Sequence, residues 1–322
     1  MSLTQNIIDI NKEYKLNSYI DEKKEVDNLP VGVNISTMCA TAKIKLTNND
    51  LQEDLNVEIN IDNIEKYLQL DINNVITIKR NSSSIRTLLL QKVKTKRTKK
   101  MQQTKTKTIN YFYNQITIVM RVNEGPTDDI NNEPRINLKL FRNGSIQMSG
   151  CKSVKYINIV LNKLIRRLKE TNAIIVDNNI VEIKFIANPD ITITNFKIDM
   201  INSNYQVKLL VDRDKLYTLL KKKNIKCSFE PCIRACVVVK YTPPNYNSDE
   251  KQVSIYIFQK GNIIITGARD RDHIISAYNY INDILVTHYD EVNIKDNEKN
   301  TDIILQLYDE IMDKVNKGLI KL

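Results

Sequence analysis

The feature that most constrains this chain is a stretch that occurs twice. Phe258-Gln-Lys-Gly-Asn-Ile-Ile-Ile-Thr-Gly-Ala-Arg269 and Phe141-Arg-Asn-Gly-Ser-Ile-Gln-Met-Ser-Gly-Cys-Lys152 share one plan. Phe141 matches Phe258, Gly144 matches Gly261, Ser149 matches Thr266, Gly150 matches Gly267 and Lys152 matches Arg269, each pair 117 residues apart. The match continues without a gap into a helical pattern, with Ile157, Val160, Leu161, Leu164 and Leu168 against Ile274, Ala277, Tyr278, Ile281 and Leu285. With only seven glycines in the chain, two co-registered pairs indicate an internal duplication of a strand–turn–strand–helix unit.

Alternation within the strands assigns their faces. Ile255 and Ile257 point one way, and Ser254, Tyr256 and Phe258 the other. Ile136, Leu138 and Leu140 likewise oppose Asn137, Lys139 and Phe141. One face of an antiparallel sheet is normally buried and the other wet, so the aliphatic face is the core and both phenylalanines lie on the polar face. Two readings follow. Each ring either covers an edge of the core or belongs to a contact surface.

The rest of the chain repeats this order. Residues 1–30 read as one or two polar helices, Val33 to Leu46 as a strand, and Asp62-Asn-Ile-Glu65 as a capping box. Residues 75–108 start strand-like and become a basic, aperiodic loop. Tyr111 to Val122 is a strand with Gln115, Thr117, Val119 and Arg121 opposite Ile116, Ile118, Met120 and Val122. In the second half, Phe196 to Val211 is a strand and Asp212 to Lys223 a helix with an Asp cap. Ile233 to Tyr241 is a strand carrying Arg234, Cys236, Val238 and Lys240 on one face. An amphipathic helix over about 301–319 closes the chain. Each half thus reads strand, helix, several strands, long helix. This predicts an α+β fold in which two pseudo-repeats share one antiparallel sheet with helices on a single face.

Composition removes other classes. No apolar run approaches membrane-spanning length and no signal-peptide core is present, which points to an intracellular protein without a membrane partner. Eight basic residues between Lys92 and Lys107, with no acid among them, account for most of the net charge of +10. That run is either a solvated loop or an electrostatic arm for phosphates. Cys227, Cys232 and Cys236 are irregularly spaced with no histidine near, so no metal is expected. His273 and His288 have no Ser or Cys partner in a triad motif, and no glycine-rich phosphate loop exists. No enzyme activity, cofactor or small-molecule substrate is expected.

These residues resemble the TATA-box-binding protein family. The two Phe-to-Lys/Arg hairpins resemble the family's paired Phe-x-Ser-Gly-Lys…Thr-Gly-Ala-Lys hairpins, and Ile118-Val-Met-Arg-Val122 resembles its Val-Ile-Met-Arg-Ile strand. Phe196-Lys-Ile198 and Phe229-Glu-Pro231 resemble second-half signatures. Roughly residues 31–290 are covered, as two repeats (31–172, with a basic insertion at about 75–108, and 173–290) flanked by extensions at 1–30 and 291–322. Asn-, Ile- and Lys-rich usage resembles versions encoded by large AT-rich DNA viruses.

The resemblance implies a saddle, a curved antiparallel sheet whose concave face binds and bends AT-rich promoter DNA through the minor groove, with helices on the convex face. Matched residue by residue, Phe141 and Phe258 are wedge phenylalanines, and Ser149 and Thr266 groove-facing hydroxyls. Arg121, Lys152, Lys240 and Arg269 stand near phosphates. Gln115 and Arg234 occupy the companion wedge positions, where the family has phenylalanine. Val119 and Val238 share the same face. The family's central asparagines align with Val33 and Met200, leaving Asn34 and Asn202 close but shifted. Glu230 and Pro231 fall where a TFIIB-like initiation factor of the RNA polymerase machinery docks. The implied location is the nucleus or a viral replication factory, and the virion after packaging. The departures at the wedges and asparagines keep a second class open, a protein-interaction scaffold with this fold that has lost or relaxed DNA binding.

Overall fold

Backbone geometry accounts for the paired glycines. The computed structural model describes residues 16–21, 24–47, 57–81, 84–89, 114–123, 133–244, 252–294 and 312. Gly144 has φ +80 and Gly261 φ +76. Each donates its N–H to the carbonyl of the phenylalanine three residues earlier, at 3.0 Å. A Cβ on Gly144 would stand 2.8 Å from the Ile44 carbonyl oxygen, and one on Gly261 2.3 Å from that of Val207. Left-handed backbone and close chain approach together admit only glycine.

In chain order the elements are β1 (Asn34–Leu46), α1 (Ile61–Tyr67), β2 (Val75–Lys79), β3 (Ile85–Thr87), β4 (Gln115–Arg121), β5 (Arg135–Phe141), β6 (Ser145–Cys151) and α2 (Val154–Lys169). They continue with β7 (Thr171–Val176), β8 (Asn179–Lys184), β9 (Ile191–Gln206), α3 (Arg213–Lys222), β10 (Cys227–Ser228), β11 (Cys236–Tyr241), β12 (Val253–Phe258), β13 (Asn262–Ala268), α4 (Arg271–Thr287) and α5 (Tyr289–Val292). The duplicated unit is β5–β6–α2 in one copy and β12–β13–α4 in the other. Val154 and Arg271, which begin the two helices, are again 117 residues apart.

The chain divides into two compact units, the first comprising residues 1–29, 35–202 and 267–271, the second 30–34, 203–266 and 272–322. In the first, the strand order is β9–β1–β6–β5–β4–β2–β3, with antiparallel pairing through β1, β6, β5, β4, β2 and β3. Ile116, Ile118, Met120, Ile136, Leu138 and Leu140 are at most 1% exposed. α2 buries Ile157, Val160, Leu161, Leu164 and Leu168. Lys163 on the same helix is 4% exposed, and its Nζ donates to the carbonyls of Asn73 (3.0 Å), Val122 (3.0 Å) and Arg121 (3.3 Å). A buried ammonium is tolerated there because carbonyl dipoles replace its hydration. In the second unit the order is β10–β11–β12–β13–β9, β9 contributing its last residues. α3 opens on Asp212, which accepts from the Lys215 N–H. α4 buries Ile274, Ala277, Ile281 and Leu285, while Tyr278 is half-buried against the Tyr205 ring at 4.8 Å.

Several local expectations are corrected. The cap of α1 is Asn60, whose side chain accepts from the Asn63 N–H, and no capping box forms. Asp62 and Glu65 instead hold Arg80 from β2's C-terminal end. The segment from residue 75 begins as two sheet strands, β2 and β3, so at that end it is part of the fold. β9 starts at Ile191, before the expected Phe196. β11 starts at Cys236 rather than Ile233, since the Glu230 carbonyl takes the N–H groups of Ile233 and Arg234 into a turn. Residues 16–21 and 24–30 form no α-helix; the Asn17 and Tyr19 backbone is bonded to α2 side chains, the Lys24 N–H turns back to the Asp21 carbonyl, and Asn28 takes a left-handed backbone (φ 48). The remainder of 1–30, the Lys92–Lys107 run and the 301–319 helix, Met312 apart, lie outside the described residues. A hairpin, β7–β8, was not foreseen. Its turn residues Asp177 (φ 50) and Asn178 (φ 62) adopt the left-handed backbone of a tight hairpin turn.

Candidate nucleic-acid interface

The sheet face turned away from the core can be read in rows, because cross-strand partners on one face lie side by side. In the first unit, Gln115 stands opposite Phe141. The next row is Thr117, Lys139, Gln147 and Thr41, and the one after is Val119, Asn137, Ser149 and Cys39. In the second unit, Cys236 stands opposite Phe258. Its rows continue as Ser228, Val238, Tyr256 and Ile264, then Lys240, Ser254 and Thr266. None of these residues is acidic. Asp199, which accepts from the Thr41 hydroxyl at 3.4 Å, borders the first set.

Phe141 and Phe258 are both half-buried, and each ends a core strand on the face opposite its aliphatic residues. Ser149, Lys152 and Lys240 are exposed, and Lys240 Nζ donates to Ser254 Oγ at 2.6 Å. Gln115, Val119, Thr266, Arg269 and Asn202 are partly exposed, and the Asn202 carbonyl accepts from the Ser36 hydroxyl. Glu230 and Pro231 are exposed in the turn after Phe229, whose ring packs on Tyr217 (6.3 Å) and under the Arg213 guanidinium (5.5 Å).

Three expected positions change. Arg121 is 1% exposed and pairs with Glu133 at 3.2 Å, with Asn73 Oδ1 and the Ile72 carbonyl beside it, so it is sealed in the protein rather than open to a phosphate. Val238 is 4% exposed, covered by its neighbours. Arg234 precedes β11 and is not opposite Phe258; Cys236 is. β11 pairs with β12 two residues out of step with the β4–β5 pairing, which moves Arg234 beyond the ring and brings its guanidinium 6.0 Å from Tyr256. The rows also add Thr41 and Gln147, and Lys43 follows two residues along β1 paired with Ser145; sequence reasoning missed all three. Their signal was present, since Thr41 and Lys43 alternate with buried Ala40, Ala42 and Ile44.

Burial pushes the Cys151 thiol up to about 12, raises Cys39 with help from Asp199, and raises Cys236 despite Arg234 and Arg213. Among the described residues no cluster of His, Cys, Asp and Glu is arranged to hold a metal, and no helix is long and apolar enough to cross a membrane. A cleft of about 470 Å³ beside Lys152 is lined also by Glu133, Arg135, Gly150 and Tyr156.

Comparison with known proteins decides the family. A "TATA-box-binding protein-like" protein of Acanthamoeba polyphaga mimivirus is 35% identical over 300 residues, covering 88% of this chain and 72% of that one. The chain belongs to the TATA-box-binding protein family. The family model for "Transcription factor TFIID (or TATA-binding protein, TBP)" matches residues 195–288. A TATA-box-binding protein of Methanococcus maripaludis is 25% identical over 150 residues, covering 46% of this chain and 67% of its own length. The solved structure of Methanococcus jannaschii TBP covers 78% of this chain at 16% identity with a TM-score of 0.43. As a member of the TATA-box-binding protein family, the chain has a transcription-factor role.

Proposed function

We propose that this protein is an initiation factor that binds AT-rich promoter duplexes through the minor groove and bends them. The observation that carries the reading is the row pattern. Each unit ends its rows on a half-buried phenylalanine and carries hydroxyl and lysine side chains farther along, the second unit adding Val238, Tyr256 and Ile264 next to its ring, with no carboxylate in any row. A polyanion tolerates such a surface, and an apolar ring at its end suits insertion between base steps. Phe141 and Phe258 are the wedges; Ser149, Thr266, Val119, Gln115 and Asn202 face the groove floor; Lys152, Lys240 and Arg269 meet phosphates, with Arg234 adding charge beside Tyr256. Glu230 and Pro231 form the exposed turn that a TFIIB-like initiation factor would contact.

The reading is tested by titrating AT-rich and GC-rich duplexes at two salt concentrations. Tighter binding of the AT-rich duplex is expected, with affinity falling as salt rises by about 0.9 log units per log unit of salt for each phosphate neutralised. The non-aromatic partners of the two rings, Gln115 and Cys236, favour one competing reading, a protein-interaction scaffold with the same fold. Absence of duplex binding at low salt would select it.

A further inference from the structure

The segment before β1 is held against α2 in an unusual way: helix side chains read its backbone. Asn162 Oδ1 accepts from the Asn17 N–H at 3.0 Å, and its Nδ2 donates to the Asn17 carbonyl at 2.9 Å. Asn158, one turn earlier on the same helix face, donates to that carbonyl at 3.0 Å and accepts from the Tyr19 N–H at 3.0 Å. These four bonds recognise an extended chain without regard to its side chains. Three side chains then set the register. Ile20 is 4% and Val26 7% exposed, and the Glu25 carboxylate accepts from the free N–H groups of Val154 (3.2 Å) and Lys155 (2.9 Å) in the first turn of α2. A carboxylate there also meets the positive end of the helix dipole.

The attachment is shallow. Most of its bonds are solvent-exposed, two aliphatic side chains are deeply buried, and the connection to β1 passes through fully exposed Val31 and through Gly32, around which no atom lies within 4 Å of a Cβ position. Segments held this way open with small free energies.

We propose that the outer surface of α2 is a docking site for a peptide of the pattern aliphatic–four residues–acid–aliphatic, and that the segment of residues 16–21 and 24–29 is its resident, exchangeable occupant. A partner presenting such a segment docks by taking the strap's place. The recognition chemistry is backbone pairing by Asn158 and Asn162, two aliphatic contacts, a carboxylate at the helix N-terminus, and exposed contacts at the far end, where Arg271 donates to the Asp27 and Asn28 carbonyls and Lys24 lies over Phe196.

The test uses the full chain with a specific protease site inserted between Val31 and Gly32, cleaved after folding so that the strap loses the advantage of its tether. Fluorescent peptide of residues 16–30 is then followed by anisotropy, with circular dichroism and thermal melting in parallel. Saturable one-to-one exchange is expected on a protein that keeps its helix signal. A peptide carrying Glu25→Lys, and a protein carrying Asn158→Ala and Asn162→Ala, should each weaken binding at least ten-fold. In the uncut chain, that double variant should lose amide-exchange protection at Asn17 and Tyr19 alone. A strap that never exchanges, a cleaved protein that unfolds as the strap leaves, or binding and protection indifferent to the asparagines would each overturn the proposal.

Discussion

Gly261 and Gly32 share a left-handed backbone but not a neighbourhood. A Cβ at Gly261 meets two carbonyl oxygens, at 2.3 and 2.7 Å, while one at Gly32 meets nothing. Gly32→Ala should cost about 1–2 kcal/mol, the strain of the conformation alone, and Gly261→Ala distinctly more, measured by urea unfolding. The phenylalanines divide in the same manner. Phe185 is fully buried, so Phe185→Ala should cost about 3–5 kcal/mol. Phe141→Ala and Phe258→Ala, at half-buried positions off the core face, should cost about 1 kcal/mol or less. A Phe141 or Phe258 variant as destabilised as Phe185→Ala would return both rings to the core. Which face each ring occupies was legible from alternation alone. The burial of Arg121 was not, because it depends on Glu133, which the chain brings back from the next turn rather than from the strand itself.

At the scale of elements, α1 and the β2 end are joined by Arg80, which bridges Asp62 and Glu65. The hydrogen bond from Arg80 holds the Asp62 carboxyl below its usual range. Burial alone would raise Glu65, but hydrogen bonds from Ser84 and Arg80 outweigh it and leave that group lowered too. Both folded values lie below the unfolded ones, so the stabilisation is present above the ordinary carboxylate range near pH 4 and is lost as pH falls through the lowered values. Arg80→Met should therefore melt lower than wild type at pH 7, with the difference shrinking below about pH 4. A difference that grew in acid would contradict the bridge. The two strand–turn–strand–helix units were readable because each validated the other across 117 residues. β7–β8 had no counterpart to align with, although Asp177-Asn178 between aliphatic pairs was a hairpin signal. The strap's backbone at Asn17 and Tyr19 is held by Asn158 and Asn162, more than a hundred residues away, so no local pattern could carry it. The companion of Phe258 was misassigned for a related reason. Sequence alignment equates Arg234 with Gln115, but β11 pairs with β12 two residues out of that register, and a pattern along one strand does not specify its partner's register.

For the whole molecule, the family places the chain in transcription, and the acid-free rows in each unit are the surface proposed for that role. The central claim is that Phe141 and Phe258 work as wedges. On that proposal the non-aromatic partners of the rings, Gln115 and Cys236, would leave each kink resting on one phenylalanine, so bending should be measurable but gentler than two rings per kink would give. Unstacking a base step costs a few kcal/mol, which the inserted ring must offset. The decisive measurement is energy transfer between dyes at the two ends of an AT-rich duplex, at saturating protein, for wild type and for the Phe141→Ala/Phe258→Ala double variant. The account predicts a clear rise in transfer with wild type, and none with a double variant that still melts within a few degrees of it. Equal bending by both proteins, or loss of bending only because the variant has unfolded, would contradict it.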